Sequence, residues 1–237
     1  MWYHLYTYML VLFALDSSLG RIDKESLPQQ TIMELLIEGI TQNKRKICGE
    51  PEEWKHISEW LQKTLNEDGE VKEIDWHFNQ LRGSLLLEWL PPSIEQFQIT
   101  SNELSGEVDL TILPGRMTRL EINANKFFGS LNLEHLPESM ITLYLSYNSF
   151  SGSIRLTRLP KSLSFLSVAH NKLSASLNLT CLPENMCELY LYKNGFEGET
   201  DFSQLPAGMQ KINFTATKLT GEIRIHGGIE VHANKGV

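Results

Sequence analysis

Seven positions of this chain, Asn79, Asn102, Asn125, Asn148, Asn171, Asn194 and Thr217, stand 23 residues apart without a slip. A fixed period in this range marks a stack of coils, each burying its apolar side only against its neighbours. Five residues before these positions lie Ile74, Phe97, Leu120, Leu143, Leu166, Leu189 and Ile212. Three before them lie Trp76, Ile99, Ile122, Leu145, Val168, Leu191 and Phe214. Both rows are apolar with mostly polar residues between, and that period of two predicts a short half-buried strand in every unit.

The pattern continues past the asparagine. Two residues on stands Leu81, Leu104, Phe127, Phe150, Leu173, Phe196 or Leu219, and four residues on stands glycine in every unit except one, where Ala175 replaces it. A glycine recurring there predicts a bend or close backbone approach that a side chain would obstruct. A further alternating pair follows, as in Leu131 and Leu133 or Ile154 and Leu156, and reads as a second, shorter strand. Each unit closes on Leu-Pro, from Leu90-Pro91 to Leu205-Pro206. Proline fixes the chain direction and lacks a donor, which predicts an extended or 3₁₀-like arc.

The unit L-x-x-L-x-L-x-x-N-x-L-x-G, seen in Ile141 to Gly152, resembles a leucine-rich repeat, and its Asn-x-Leu-x-Gly continuation resembles the plant-type class. Where that class follows its glycine with Ile-Pro, this chain has Leu-x-Leu. The resemblance runs from about Val71 to Asn234. It implies an α/β repeat solenoid with a parallel concave β-sheet, short second strands and 3₁₀ or extended convex arcs. It also implies a structural ladder built by the amides of Asn79, Asn102, Asn125, Asn148, Asn171 and Asn194, since a side-chain amide can serve both donors and acceptors of a tight turn.

Four segments follow: 1–20, 21–70, seven units over 71–225, and a shortened last rung with a tail over 226–237. Residues 1–20 carry an apolar run from Leu5 to Leu15 followed by Ser18-Leu19-Gly20, and read as a secretory signal peptide. The alternative is a segment packed on the first unit. Residues 21–70 read as a helical N-terminal cap: Ile32, Leu35, Leu36 and Ile40 have helical spacing, as do Trp54, Ile57, Leu61 and Leu65 after Pro51. At the other end Ile229, Val231 and Asn234 repeat the spacing of the strand pair and its asparagine, 17 residues after Thr217.

A net charge of −8 disfavours nucleic acid, and the single basic cluster, Lys44-Arg45-Lys46, reads as a solvated helix end. Three cysteines give no disulfide framework, although Cys181 and Cys187 flank one arc and are candidates for a bridge. Asn178-Leu179-Thr180 and Asn213-Phe214-Thr215 match the N-glycosylation acceptor. No metal-binding or phosphate-binding motif and no nucleophile elbow occurs, so no enzyme activity, cofactor or metal is expected.

The strand residues alternating with the buried rows face the open side of a sheet of this kind. Polar and charged side chains dominate the first three units there, whereas Tyr144, Phe165, Tyr190 and Tyr192 gather in the fourth to sixth, with Tyr147 at the strand exit. Ser146, Ser167 and Ala169 lie between them, which predicts space for a partner's side chain. Aromatic anchors around small residues suit a binding hot spot, and exposed tyrosines also stack on one another along a sheet. The expected role is recognition of a protein, or of a glycan, outside the cell. The alternatives are an intracellular scaffold or adaptor and a fragment of a receptor ectodomain.

Overall fold

The structure, a computed structural model, describes residues 24–50, 54–223 and 228–234. Residues 1–23, with the expected signal peptide, and Pro51 lie outside that range. Each unit forms a coil with one strand on each of two faces, and the strands of successive coils join into two long sheets. The larger, of nine strands, contains Val71–Asp75, Gln96–Gln98, Arg119–Glu121, Thr142–Tyr144, Phe165–Ser167, Glu188–Tyr190 and Lys211–Asn213. Ile74, Phe97, Leu120, Leu143, Leu166, Leu189 and Ile212 stand in direct cross-strand register. That row and the Trp76 to Phe214 row are completely buried, each such side chain stabilising the coil by about 1.5–3 kcal/mol. The chain therefore folds as a leucine-rich-repeat solenoid.

The second strands lie one segment earlier than the sequence reading puts them. They span Lys126–Gly129 and Ser149–Gly152, ending on the recurring glycine, whereas Leu131, Leu133, Ile154 and Leu156 are buried outside any strand. The glycine supplies the reason. Gly129 and Gly152 have φ of 92° and 81°, which turns the backbone out of the ladder while the following side chains still point inward. Ala175 adopts φ 73° at the same place, a region that disfavours a Cβ. Pairing on this face joins Gly106 to Phe127, Phe150 to Gly129 and Gly152 to Leu173, so it steps by 21 residues instead of 23. The two sheets are thus sheared against each other by two residues per coil.

Five asparagines make one repeated set of hydrogen bonds. Asn125 Nδ2 donates to the carbonyls of Ile122 and Asn123 in its own coil and of Ile99 in the preceding one, while Oδ1 accepts from Leu104 N. Asn102, Asn148, Asn171 and Asn194 likewise each reach back to the preceding coil. Asn79 departs from the expected ladder: no complete coil precedes it, and its Nδ2 donates to Gln62 Oε1 instead. Thr217 is too short to reach back, its hydroxyl donating to Phe214 O at 2.7 Å.

The N-terminal region holds one of the two expected helices. Gln29–Leu36 is helical and buries Ile32, Met33, Leu35 and Leu36. The second run is a 3₁₀ turn, Ile57–Glu59, followed by a strand, Lys63–Leu65, which pairs antiparallel with Val71–Asp75. Ile40, expected in the first helix, lies in the strand Ile40–Gln42, antiparallel to Arg82–Gly83. Open sheet edges are the reason: both sheets would otherwise begin with unpaired backbone groups, and an antiparallel strand covers each. Lys46 does not end in solvent, since its Nζ donates to Asn79 O at 2.9 Å.

The last strand also shifts. Glu230–His232 pairs with Lys211–Asn213 so that Val231, and not Ile229, stands beside Ile212. Asn234 bonds Ala216 N and Thr217 O across the preceding turn.

Candidate functional site

Strands of the larger sheet alternate a buried residue with two half-buried ones, and the half-buried set forms the open face. In the first coils this face is ionic: His77 bonds Asp75, Arg119 Nη1 lies 2.7 Å from Glu121, and Gln96 Nε2 donates to Glu73.

From the fourth coil the face becomes aromatic. Tyr144 stacks on Phe165 with ring centres 4.8 Å apart, and Phe165 lies 5.5 Å from Tyr190. Tyr190 meets Tyr192 edge-on at 6.4 Å. Tyr192 meets His170 at 5.4 Å, and His170 stacks on Tyr147 at 4.0 Å. The five aromatic residues picked out in the sequence are thus brought into one continuous chain of rings, with His170 as the sixth member. Such pairs contribute about 0.5–1.5 kcal/mol each beyond burial. Tyr147 nevertheless remains 48% exposed.

His170 escaped the sequence reading, which took the strand-exit position at Tyr147 alone. It occupies the place of Tyr147 one coil later, just before the asparagine, where Phe78, Ser101, Ala124, Tyr147, His170, Lys193 and Ala216 all have positive φ. Reading that position as a row of its own would have found it. The left-handed turn lifts these side chains onto the rim of the sheet.

The space expected around Ser146, Ser167 and Ala169 is closed. These residues are 1%, 2% and 0% exposed, and the Ser146 and Ser167 hydroxyls bond each other. Rings on the neighbouring strand positions cover them, because a stack spaced by the strand repeat of about 4.8 Å leaves no room for a further side chain. The surface a partner meets is therefore the rings themselves.

Ionisation follows the same geometry. Burial, then the carboxylates of Glu121 and Glu188, raises the Tyr144 phenol. Burial, and donation of its hydroxyl to Glu188 Oε2 at 2.5 Å, raises Tyr190 strongly. Tyr192 is pushed up to about 12 by burial first and then by the neighbouring Tyr147. Burial and the charge of Lys193 lower His170. At neutral pH the cluster therefore consists of neutral rings with carboxylates at its margin.

Other expected features fall elsewhere. Asn178 is exposed on a loop, where its Oδ1 accepts from Thr180 N and Oγ1. Asn213 makes the same turn with Thr215 on the open face. None of Cys48, Cys181 and Cys187 is in a disulfide, and the buried Cys48 thiol is pushed up to about 11 by desolvation. Among the described residues no cluster of three His, Cys, Asp or Glu side chains is arranged to hold a metal, and no helix is long and apolar enough to cross a membrane.

No family model and no curated protein matches the chain. Solved structures do. Pollen Receptor Kinase 3 is 19% identical with a TM-score of 0.58, the match covering 84% of this chain and 96% of that one. The receptor complex PEPR1–AtPEP1 is 19% identical with a TM-score of 0.63, covering 82% of this chain and 29% of that one. The plant peptide hormone receptor RGFR1 in complex with RGF2 is 28% identical with a TM-score of 0.52, covering 65% of this chain and 30% of that one.

Proposed function

We propose that this chain is a recognition module that holds a segment of another protein across its open sheet, centred on Tyr144, Tyr147, Phe165, Tyr190 and Tyr192 with His170. The observation that carries this reading is the unbroken line of six rings on the face of a rigid sheet. Large, stiff aromatic side chains give contact area at small conformational-entropy cost, and an exposed aromatic patch of this kind is a hallmark of interaction surfaces. The module is non-catalytic in this reading and works with neither cofactor nor metal. Solenoids of the same fold crystallised as PEPR1–AtPEP1 and as RGFR1 with RGF2 lend support, the latter described as a peptide hormone receptor.

The test uses linear peptides selected from a random library on the wild-type chain. Affinity of the selected peptides should fall at least 100-fold on the combined variant Tyr144→Ala, Tyr190→Ala and Tyr192→Ala, with the circular dichroism spectrum unchanged. Unaltered affinity would show that the rings merely stack on one another.

We place the module outside the cell. The apolar leader-like segment before Arg21 and the exposed acceptor Asn178 support that location. Amino-terminal sequencing of the protein from its natural source should read from Arg21; a chain beginning at Met1 would remove the basis for secretion.

A further inference from the structure

We infer that the segment held on the ring cluster presents a cationic side chain, arginine or lysine, to Glu188. This rests on the proposed recognition role and specifies the chemistry of the partner. Glu188 is the direct cross-strand neighbour of Phe165, and its Oε2 accepts the Tyr190 hydroxyl. It therefore borders the Tyr144–Phe165–Tyr190 stack, and among the described residues the only hydrogen bond to its carboxylate comes from a neutral donor.

The cations nearest in the sheet are already engaged. Arg119 Nη1 sits 2.7 Å from Glu121, and Lys211, the cross-strand neighbour on the other side of Glu188, places its Nζ 2.8 Å from Glu230. Among the described residues Glu188 thus has no ion-pair partner. Burial first, and then Glu121 and this same carboxylate, raise the phenol of Tyr144.

Any chain that covers the rings must strip water from Glu188. An uncompensated carboxylate in a desolvated interface is strongly unfavourable, and a cation in the ligand offsets that cost. The ring faces act in the same direction, since their quadrupoles attract a cation lying over them. A guanidinium at the outer margin of the stack can donate to the free Glu188 oxygen. An acidic segment meets repulsion from Glu188 and from a chain of net charge −8.

Random linear peptides selected on the wild-type chain should be enriched in arginine or lysine. Exchanging that arginine for citrulline should weaken binding at least 10-fold on the wild type and leave it unchanged on Glu188→Gln, which keeps an acceptor for Tyr190. Selection on Glu188→Lys should turn the preference towards Asp and Glu. Ring-dependent binders without basic enrichment, and with citrulline as good as arginine, would overturn the inference and leave the recognition surface standing. A selection that yields no ring-dependent binder would overturn both.

Discussion

Replacing Asn148 by alanine should lower the unfolding free energy by about 3–4 kcal/mol, since it removes a set of hydrogen bonds that contribute about 1 kcal/mol each. Its Nδ2 donates to the carbonyls of Ile122, Leu145 and Ser146 at 3.1, 3.2 and 3.2 Å, and its Oδ1 accepts from Phe127 N at 3.0 Å. These bonds serve two adjacent coils; alanine leaves Phe127 N without its acceptor, while Ile122 O, Leu145 O and Ser146 O each keep one other donor, from Asn125, Asn171 and Ala124 N. A solenoid is held by nearest-neighbour contacts alone, and weakening one interface invites the array to divide there. The control is Asn79→Ala, whose single side-chain partner is the exposed Gln62, and which should lose less than about 1 kcal/mol. Urea denaturation of both variants checks this. Equal losses at the two positions would show that the repeated asparagine does not act through inter-coil bonding.

A second large effect is expected at Gly83. A Cβ there would stand 2.1 Å from Gly39 O and 2.8 Å from Thr41 N, on a backbone with φ 109°. Both obstructing atoms are main chain, so no side-chain rotation relieves the collision. Gly83→Ala should force the covering strand Ile40–Gln42 away and destabilise by about 3–4 kcal/mol, the sum of overpacking and left-handed strain. Gly152 has a similar positive φ of 81° with nothing within 4 Å of its would-be Cβ, and Gly152→Ala should cost only about 1–2 kcal/mol. Ala175, already at φ 73°, shows that a methyl group is tolerated at this place in an uncrowded coil. Hydrogen exchange should localise the Gly83→Ala damage to residues 40–42. Matching midpoints for the two alanine variants would refute the assigned crowding.

The core was legible in the sequence residue by residue. The row from Ile74 to Ile212 could be assigned to the interior because a strand's side chains alternate by geometry, whatever the sheet pairs with. The candidate site was legible in part for the same reason, as alternation put Tyr144, Phe165, Tyr190 and Tyr192 on one face. His170, at the same left-handed turn position as Tyr147, was lost because its part in the cluster depends on its ring meeting those of Tyr147 and Tyr192 in the neighbouring coils. The closure over Ser146, Ser167 and Ala169 was lost because it depends on how rings from different coils lie against one another.

The N-terminal region failed for another reason. Trp54, Ile57, Leu61 and Leu65 have helical spacing, but the strand Lys63–Leu65 forms because the edge at Val71–Asp75 needs a partner. That is a long-range demand, and it overrides a local period.

By itself the sequence determined the 23-residue coil, the buried rows and the aromatic face, all of which follow from local alternation repeated in step. Only the tertiary structure decided the 21-residue pairing of the second sheet, the strand that covers the first edge of each sheet, the role of Asn79, and the placing of Glu188 beside the rings. Each of these depends on which backbone or charged group lies opposite in a neighbouring coil, and a one-dimensional period carries no information about what its neighbour leaves unpaired.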